Sequence, residues 1–266
     1  MKHHDEWKDL FREWKAFRAK TVYERAKLTA ASGRWSRLDL SPAHVLELLD
    51  RCPVLYREAW VPTPNKASSF ALDGFTVGDG WFCILDALSA KLAMDKALHV
   101  VQVKEKFGRL AVHCARDEGA RVDRRLDARL HIALGKARDR SMRTCEICGK
   151  PGTCEERAGW VTVRCEPCLR LDEMARACTR IADRTKGLDF TAFSADKNTQ
   201  DAVRLALVNI GHASIGQSPR SRARLPDIDW KNLCRFKDVE AVMRIATEQL
   251  WEFATKDAPE LQKKLR

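Results

Sequence analysis

Two cysteine pairs, Cys145-x2-Cys148 and Cys165-x2-Cys168, stand sixteen residues apart in the stretch RTCEICGKPGTCEERAGWVTVRCEPC, residues 143–168. No other feature restricts the fold of this chain as much. Each pair can close a tight knuckle that offers two thiolates on one side, and two knuckles complete a tetrahedron around Zn2+. Gly149 follows the first pair, where a knuckle needs positive φ or a close backbone approach. GWVTVRC, residues 159–165, alternates as a strand returning from a turn does. Cys165 would end that strand, and Cys168 would sit in the first turn of the helix that follows.

Knuckle, hairpin and helix-borne ligand make the layout of a treble-clef zinc finger. A redox dithiol needs one pair in a thioredoxin-like βαβ context, and here there are two pairs and no such context. With all four ligands supplied by protein, one bound Zn2+ is structural, since a catalytic zinc keeps a position open. Cys154 is left over, in the loop between the pairs. The other thiols, Cys52, Cys83, Cys114, Cys178 and Cys234, fall on apolar faces and read as small buried hydrophobes. No Cys/His or Ser/His/Asp grouping is legible, and the seven histidines share no spacing.

The N-terminus, MKHHDEWKDLFREWK, is charged and has no apolar core of a secretory signal, and no run of eighteen apolar residues exists. The expectation is a cytoplasmic protein without membrane spans, in a compartment where structural disulfides are rare. Residues 5–28 read as an amphipathic helix carrying Trp7, Leu10, Phe11, Trp14 and Phe17. A second helix begins with Ser41 as N-cap and Pro42 at its first position, and Pro53 ends it. Residues 61–74 read as a loop and about 80–96 as a helix. Val100, Val101 and Val103 face Leu110 and Val112 across a hairpin turning at Lys106–Gly108.

Residues 118–140 read as a helix with Val122, Leu126, Leu130, Ala133, Leu134 and Ala137 buried. Its other side holds Arg121, Arg124, Arg125, Arg129, Arg138 and Arg140, a face that is either solvated and paired to Asp123 and Asp127 or, through Arg121, Arg124, Arg125 and Arg129, a nucleic-acid contact. The formal charge of +11 favours polyanionic partners without dictating a fold. Beyond the cysteines the chain reads as helices at 166–184, 198–214 and 229–255. Val203, Leu205, Leu207, Val208 and Ile210 exceed what one helix face needs, so part of that surface is expected to meet another chain.

Residues 71–170 resemble a segment of uncharacterised proteins from bacteria and their prophages. The shared elements are GDGWFCILDAL at 78–88, QVKEKFGRL at 102–110 and TCEICGKPG at 144–152. The last ligand of that pattern is often His, where this chain has Cys168. The resemblance implies one α+β unit and no known activity.

The C-terminal third resembles the HepT-like branch of the HEPN ribonuclease superfamily. The resemblance rests on GLDFTAFSADKNTQDAVRLALVNIGHA at 187–213, LPDIDW at 225–230 and LWEFATKDAPELQKKL at 250–265. It implies a small helical bundle that dimerises and an Arg-x4-6-His element that cleaves RNA. The position of that element reads CRFKDVEAV, 234–242: Lys237 stands for the arginine and Val242 for the histidine, or, with another gap, Arg235 and Glu240. The family's Glu after IG is replaced by His212. Neither valine nor glutamate titrates near neutrality, so the resemblance implies a bundle kept and an active site lost.

The sequence thus predicts a predominantly helical α+β protein in three parts: a helical region at 1–70, an α+β unit with a four-cysteine zinc finger at 71–170, and a HEPN-like bundle at 171–266. The expected function is a zinc-stabilised accessory protein, not an enzyme, that binds nucleic acid or a protein partner and self-associates through its bundle. The two resemblances place it in phage defence, a toxin–antitoxin pair or another mobile-element complex. Two alternatives stay open. One is a ribonuclease rebuilt around Lys237, Glu240 and His212, and the other is a purely structural subunit.

Overall fold

The computed structural model describes residues 16–17, 20–32, 36, 39–61, 68–157 and 159–265. Trp7, Leu10, Phe11 and Trp14 lie outside them. The chain forms two compact units, Met1–Cys165 and Glu166–Arg266.

The first unit opens with α1, Val22–Ser32, and α2, Pro42–Arg51. The Ser41 side chain caps α2 by accepting from the His44 amide, Pro42 occupies the first turn, and Cys52 ends the helix before Pro53. A 3-10 turn at Arg57–Trp60 follows. The stretch expected to be only loop carries a short helix, α3 at Ser69–Asp73, because the Ser68 hydroxyl accepts from the Ala71 amide. Then come β1 (Phe75–Thr76), a 3-10 turn (Asp79–Trp81), α4 (Phe82–Leu92), β2 (Leu98–Glu105) and β3 (Leu110–Arg116). β1 runs parallel to β2, and β2 pairs antiparallel with β3 in the expected hairpin, its register slipping between Val100 and Gln102.

The helix after the hairpin starts later than its apolar pattern suggests. Asp123 accepts from the amides of Arg125 and Leu126 and so fixes the start of α5, Arg124–Ser141. Val122 therefore precedes the helix and is exposed, whereas Leu130, Ala133 and Ala137 are buried as expected. β4 (Thr153–Arg157) and β5 (Trp160–Arg164) form a second antiparallel hairpin. Cys154 lies on β4, not in a loop, and Cys83 is exposed on α4, not on an apolar face. One core joins residues on both sides of position 70, from Val22, Leu48, Leu49 and Tyr56 to Trp81, Val100 and Val163.

The second unit is helical: α6 (Glu166–Thr185), α7 (Phe190–Ala195), α8 (Lys197–Ile215), α9 (Pro219–Ala223), α10 (Trp230–Arg235), α11 (Val239–Met243), α12 (Thr247–Glu252) and α13 (Ala258–Leu265). The expected continuous helix at 229–255 is broken into three, since Asp238 caps a new start at Val239 and Ala246 leaves the helical region before Thr247. A π-helical turn at Phe253–Asp257 joins α12 to α13, whose second residue is Pro259. α8 is the central helix: Val203, Ala206, Leu207, Ile210 and Ala213 are buried among Met174, Phe193, Leu233, Val242 and Leu250. Leu205 departs from that set, being 63% exposed on the outer side of α8.

Candidate functional site

Trp81 is a large, fully buried side chain of the first unit, and its indole N–H donates to the Thr144 carbonyl at 2.8 Å. That bond seats the GDGW turn on the knuckle that begins at Cys145. The Gly80 amide donates to the Glu146 carbonyl at 2.7 Å, and the Gly78 amide donates to Glu146 Oε1 at 3.1 Å. The other carboxylate oxygen accepts from Arg164 Nη1 at 2.9 Å, with both side chains 9% exposed. A buried ion pair is tolerated where its remaining oxygens find donors, and the Gly78 amide is one such donor. GDGW and TCEICG thus share a physical reason to occur together: one is the seat of the other.

The knuckle delivers what the spacing called for. Gly149 has φ +72° and its amide donates to the Cys145 carbonyl at 2.9 Å. β5 ends at Arg164, just before Cys165, and Cys168 lies in the first turn of α6. The Sγ atoms of Cys145, Cys148, Cys165 and Cys168 all lie within 4.8 Å of one another, and those of Cys148 and Cys165 are 3.4 Å apart. Metal–sulfur bonds of about 2.3 Å in a tetrahedron give sulfur–sulfur edges of roughly 3.8 Å, so the four thiols fit a metal ion. The scattered cysteines behave differently. Burial pushes the Cys114 thiol up to about 11 and the Cys178 thiol up to about 12, which leaves them protonated and inert.

The arginine face of α5 is brought together as a surface, not as a site. Arg124, Arg125 and Arg129 are exposed on the helix and Arg121 precedes it. Their expected acidic partners are engaged elsewhere: Asp123 caps the helix, and Asp127 accepts from Arg116 at 3.1 Å. Among the described residues these four arginines make no ion pair.

In the second unit, Val242 is 1% exposed and belongs to the apolar core, and Lys237 lies exposed in the turn before α11. Glu240 is exposed and accepts from Arg244 at 3.0 Å. Arg235 edges a cavity of about 410 Å3 whose lining includes Leu207, Phe236, Val242, Glu252 and Asp257. Burial, with the neighbouring Glu252 and Glu260 carboxylates, holds the Asp257 carboxyl above its ordinary range. His212 is exposed near the end of α8.

Two polar groupings escaped the sequence reading. His44 Nδ1 lies 2.6 Å from Asp79 Oδ1 while its ring stacks on Phe82 with centroids 3.7 Å apart. Arg57 donates to both His99 Nδ1 and Asp117, and burial followed by Arg57 keeps the His99 imidazole below its ordinary pKa. The partners stand 35 and 42 residues apart, so no local spacing could reveal them.

Residues 174–266 match the family described as ribonuclease HepT-like. The chain is similar to a protein of Thermococcus cleftensis named probable ribonuclease HepT, with 35% identity over 97 residues that span 35% of this chain and 87% of the relative. No solved structure matches the chain. No helix among the described residues is long and apolar enough to cross a membrane.

Proposed function

This chain belongs to the HepT-like ribonuclease family through its residues 174–266, and on that premise we propose that it engages nucleic acid without cleaving it. The burial of Val242 carries this reading. Where the family's proton-transferring imidazole falls in one register there is a core aliphatic, and in the other register there is a glutamate held by Arg244. Neither supplies a group that titrates near neutrality. Binding then falls to charge, with the net +11 and the unpaired arginines of α5 as its support.

Zinc is the ion we assign to the four cysteines, because four thiolates in a closed tetrahedral set select it over harder cations. When bound it would supply no chemistry of reaction. Cys145, Cys148, Cys165 and Cys168 would hold it as a staple for the knuckle on which the GDGW turn is seated. Self-association through the outer side of α8, around Leu205, Val208 and Ile215, completes the proposal. A toxin–antitoxin or phage-defence setting fits the same family.

One observation favours cleavage by a rebuilt site instead: Arg235 and Asp257, whose carboxyl is held above its ordinary range by burial, border one cavity. Purified full-length protein incubated with single-stranded RNA separates the two. Intact RNA together with salt-sensitive binding supports the proposal. Cleavage that is lost in Arg235→Ala or Lys237→Ala overturns it.

A further inference from the structure

We propose that the tips of the two hairpins of the first unit form a stacking surface for single-stranded nucleic acid, with Phe107 and Trp160 as its base platforms. The inference rests on the nucleic-acid reading above and gives it an address and a strand preference.

The β2–β3 turn breaks a local rule. The Lys106 amide donates to the Arg109 carbonyl at 2.8 Å and the Arg109 amide returns to Lys106 at 3.2 Å, which leaves a two-residue loop. Both loop residues are left-handed, Phe107 at φ +53° and Gly108 at +71°. Such turns favour Asn-Gly, and a bulky aromatic in the first position costs backbone energy. Phe107 recovers none of that cost by burial, because it is 72% exposed. A residue that is unfavourable in its backbone and unburied in its side chain is explained by what it meets in solution.

The turn is also held in place. A Cβ on Gly108 would lie 3.0 Å from both Cys154 Sγ and Val161 Cγ1, so the turn sits flush on the β4–β5 hairpin. Beside Val161 stands Trp160, 75% exposed. On the other side, the Leu110 amide donates to Ser141 Oγ at 2.8 Å and ties the strand to the end of α5. Phe107 is therefore mounted on a rigid seat, the second hairpin carries a further exposed aromatic in Trp160, and the turn is tied to the C-terminal end of α5, whose first turns carry Arg124, Arg125 and Arg129.

The charge around them selects the occupant. Lys106 Nζ lies 5.9 Å from the Phe107 ring centroid, Arg109 closes the same turn, and Arg143 is exposed just beyond α5. Glu105 is turned back onto the Gly108 amide. The flat apolar face of Phe107, set beside Lys106 and Arg109, suits a polyanion whose bases are unstacked, and sequence-tolerant binding of single strands uses this combination, although Glu155 and Glu156 lie on the hairpin of Trp160. A duplex keeps its bases inside and would feel only the cations.

The test uses the full chain and fluorescently labelled, unstructured oligoribonucleotide and oligodeoxyribonucleotide, each also as a duplex. Phe107→Asn restores the favoured turn, so its melting temperature should equal or exceed that of the parent. Its affinity for both single strands should fall about tenfold, as should that of Trp160→Thr, with duplex affinity unchanged. Arg125→Glu/Arg129→Glu should weaken single strands and duplex alike and flatten the salt dependence. The ratio of RNA to DNA affinity tells which polymer the surface prefers. Full single-strand binding by Phe107→Asn, with loss in the arginine variant, would overturn the platform and leave the nucleic-acid reading standing. Equal losses on single strands and duplex would also overturn it, and absence of all binding by the parent protein would end both.

Discussion

Gly80→Ala should be among the most damaging single-methyl changes this protein can suffer. The added Cβ would stand 2.2 Å from the Cys145 carbonyl oxygen, 2.4 Å from the Gly149 amide nitrogen and 2.7 Å from that of Cys148. All three are backbone atoms of the knuckle, so no side chain can swing aside, and the turn and the knuckle must separate. Separation loses the Gly80 amide bond to Glu146 and strains the Gly78 and Trp81 bonds beside it. Overpacking costs about 1–3 kcal/mol and the one lost buried hydrogen bond about 1 kcal/mol, so a total of roughly 2–4 kcal/mol is expected. That is a large fraction of the roughly 5–15 kcal/mol typical of a whole domain.

Gly135→Ala is the matched control. It adds the same methyl inside α5, where a Cβ meets no atom within 4 Å. Alanine is the better helix residue there by about 0.5–1 kcal/mol, so this variant should be more stable than the parent. Thermal unfolding followed by circular dichroism should show Gly80→Ala melting about 10 °C lower and Gly135→Ala slightly higher. Because the displaced atoms belong to the knuckle, Gly80→Ala should also surrender metal to a chromogenic chelator faster. If Gly80→Ala melts with the parent, the seating of the GDGW turn on the cysteine knuckle is wrong.

The remaining expectations are shorter. Cys148→Ser should give protease-sensitive protein without stoichiometric metal, since a structural zinc carries on the order of 10–16 kcal/mol of coupled binding and folding, whereas Cys154→Ser on exposed β4 should match the parent in both measurements. For His99, burial and Arg57 disfavour the imidazolium in the fold, so the unfolded chain takes up the proton first as pH falls. The stabilisation is complete above about pH 6.5 and declines below it, and His99→Gln should flatten that acid limb in denaturant titrations. Leu205→Glu should leave the helical circular-dichroism signal unchanged and, if α8 is the self-association surface, should convert a dimer to a monomer by light scattering, with the melting temperature falling by what dimerisation supplied. An unchanged mass would move the interface elsewhere.

What the sequence made legible was what its residues settle among near neighbours. Ser41 and Pro42 start α2 within one turn of themselves, Gly149 closes the knuckle within four residues of Cys145, and Val103 pairs with Val112 across a hairpin closed by a two-residue turn. The errors share one cause, a local contest between two signals. Apolar spacing extended the helix forward to Val122, but the Asp123 carboxylate accepts two amides and decides the start. The same spacing ran through 229–255, but Asp238 and the extended Ala246 cut it. The His44–Asp79 and Arg57–His99 pairings depend on packing of distant elements, so nothing within either segment announces them.

The lost histidine and the misplaced phenylalanine follow from one physical argument. A side chain kept for chemistry or recognition must reach solvent, a cavity or a ligand, even where the fold would be more stable with another residue. Val242 is buried in the apolar core that includes Leu207 and Phe253, and it also borders the cavity that Arg235, Glu252 and Asp257 line. An aliphatic side chain at that position serves packing and supplies no group that titrates near neutrality. Phe107 is the reverse case, apolar, exposed and left-handed, in a turn that asparagine would serve better. Packing does not account for it, and neither does the backbone. Packing accounts for Val242, whereas neither packing nor backbone preference accounts for Phe107, so the nucleic-acid surface we propose is placed in the first unit and not in the bundle.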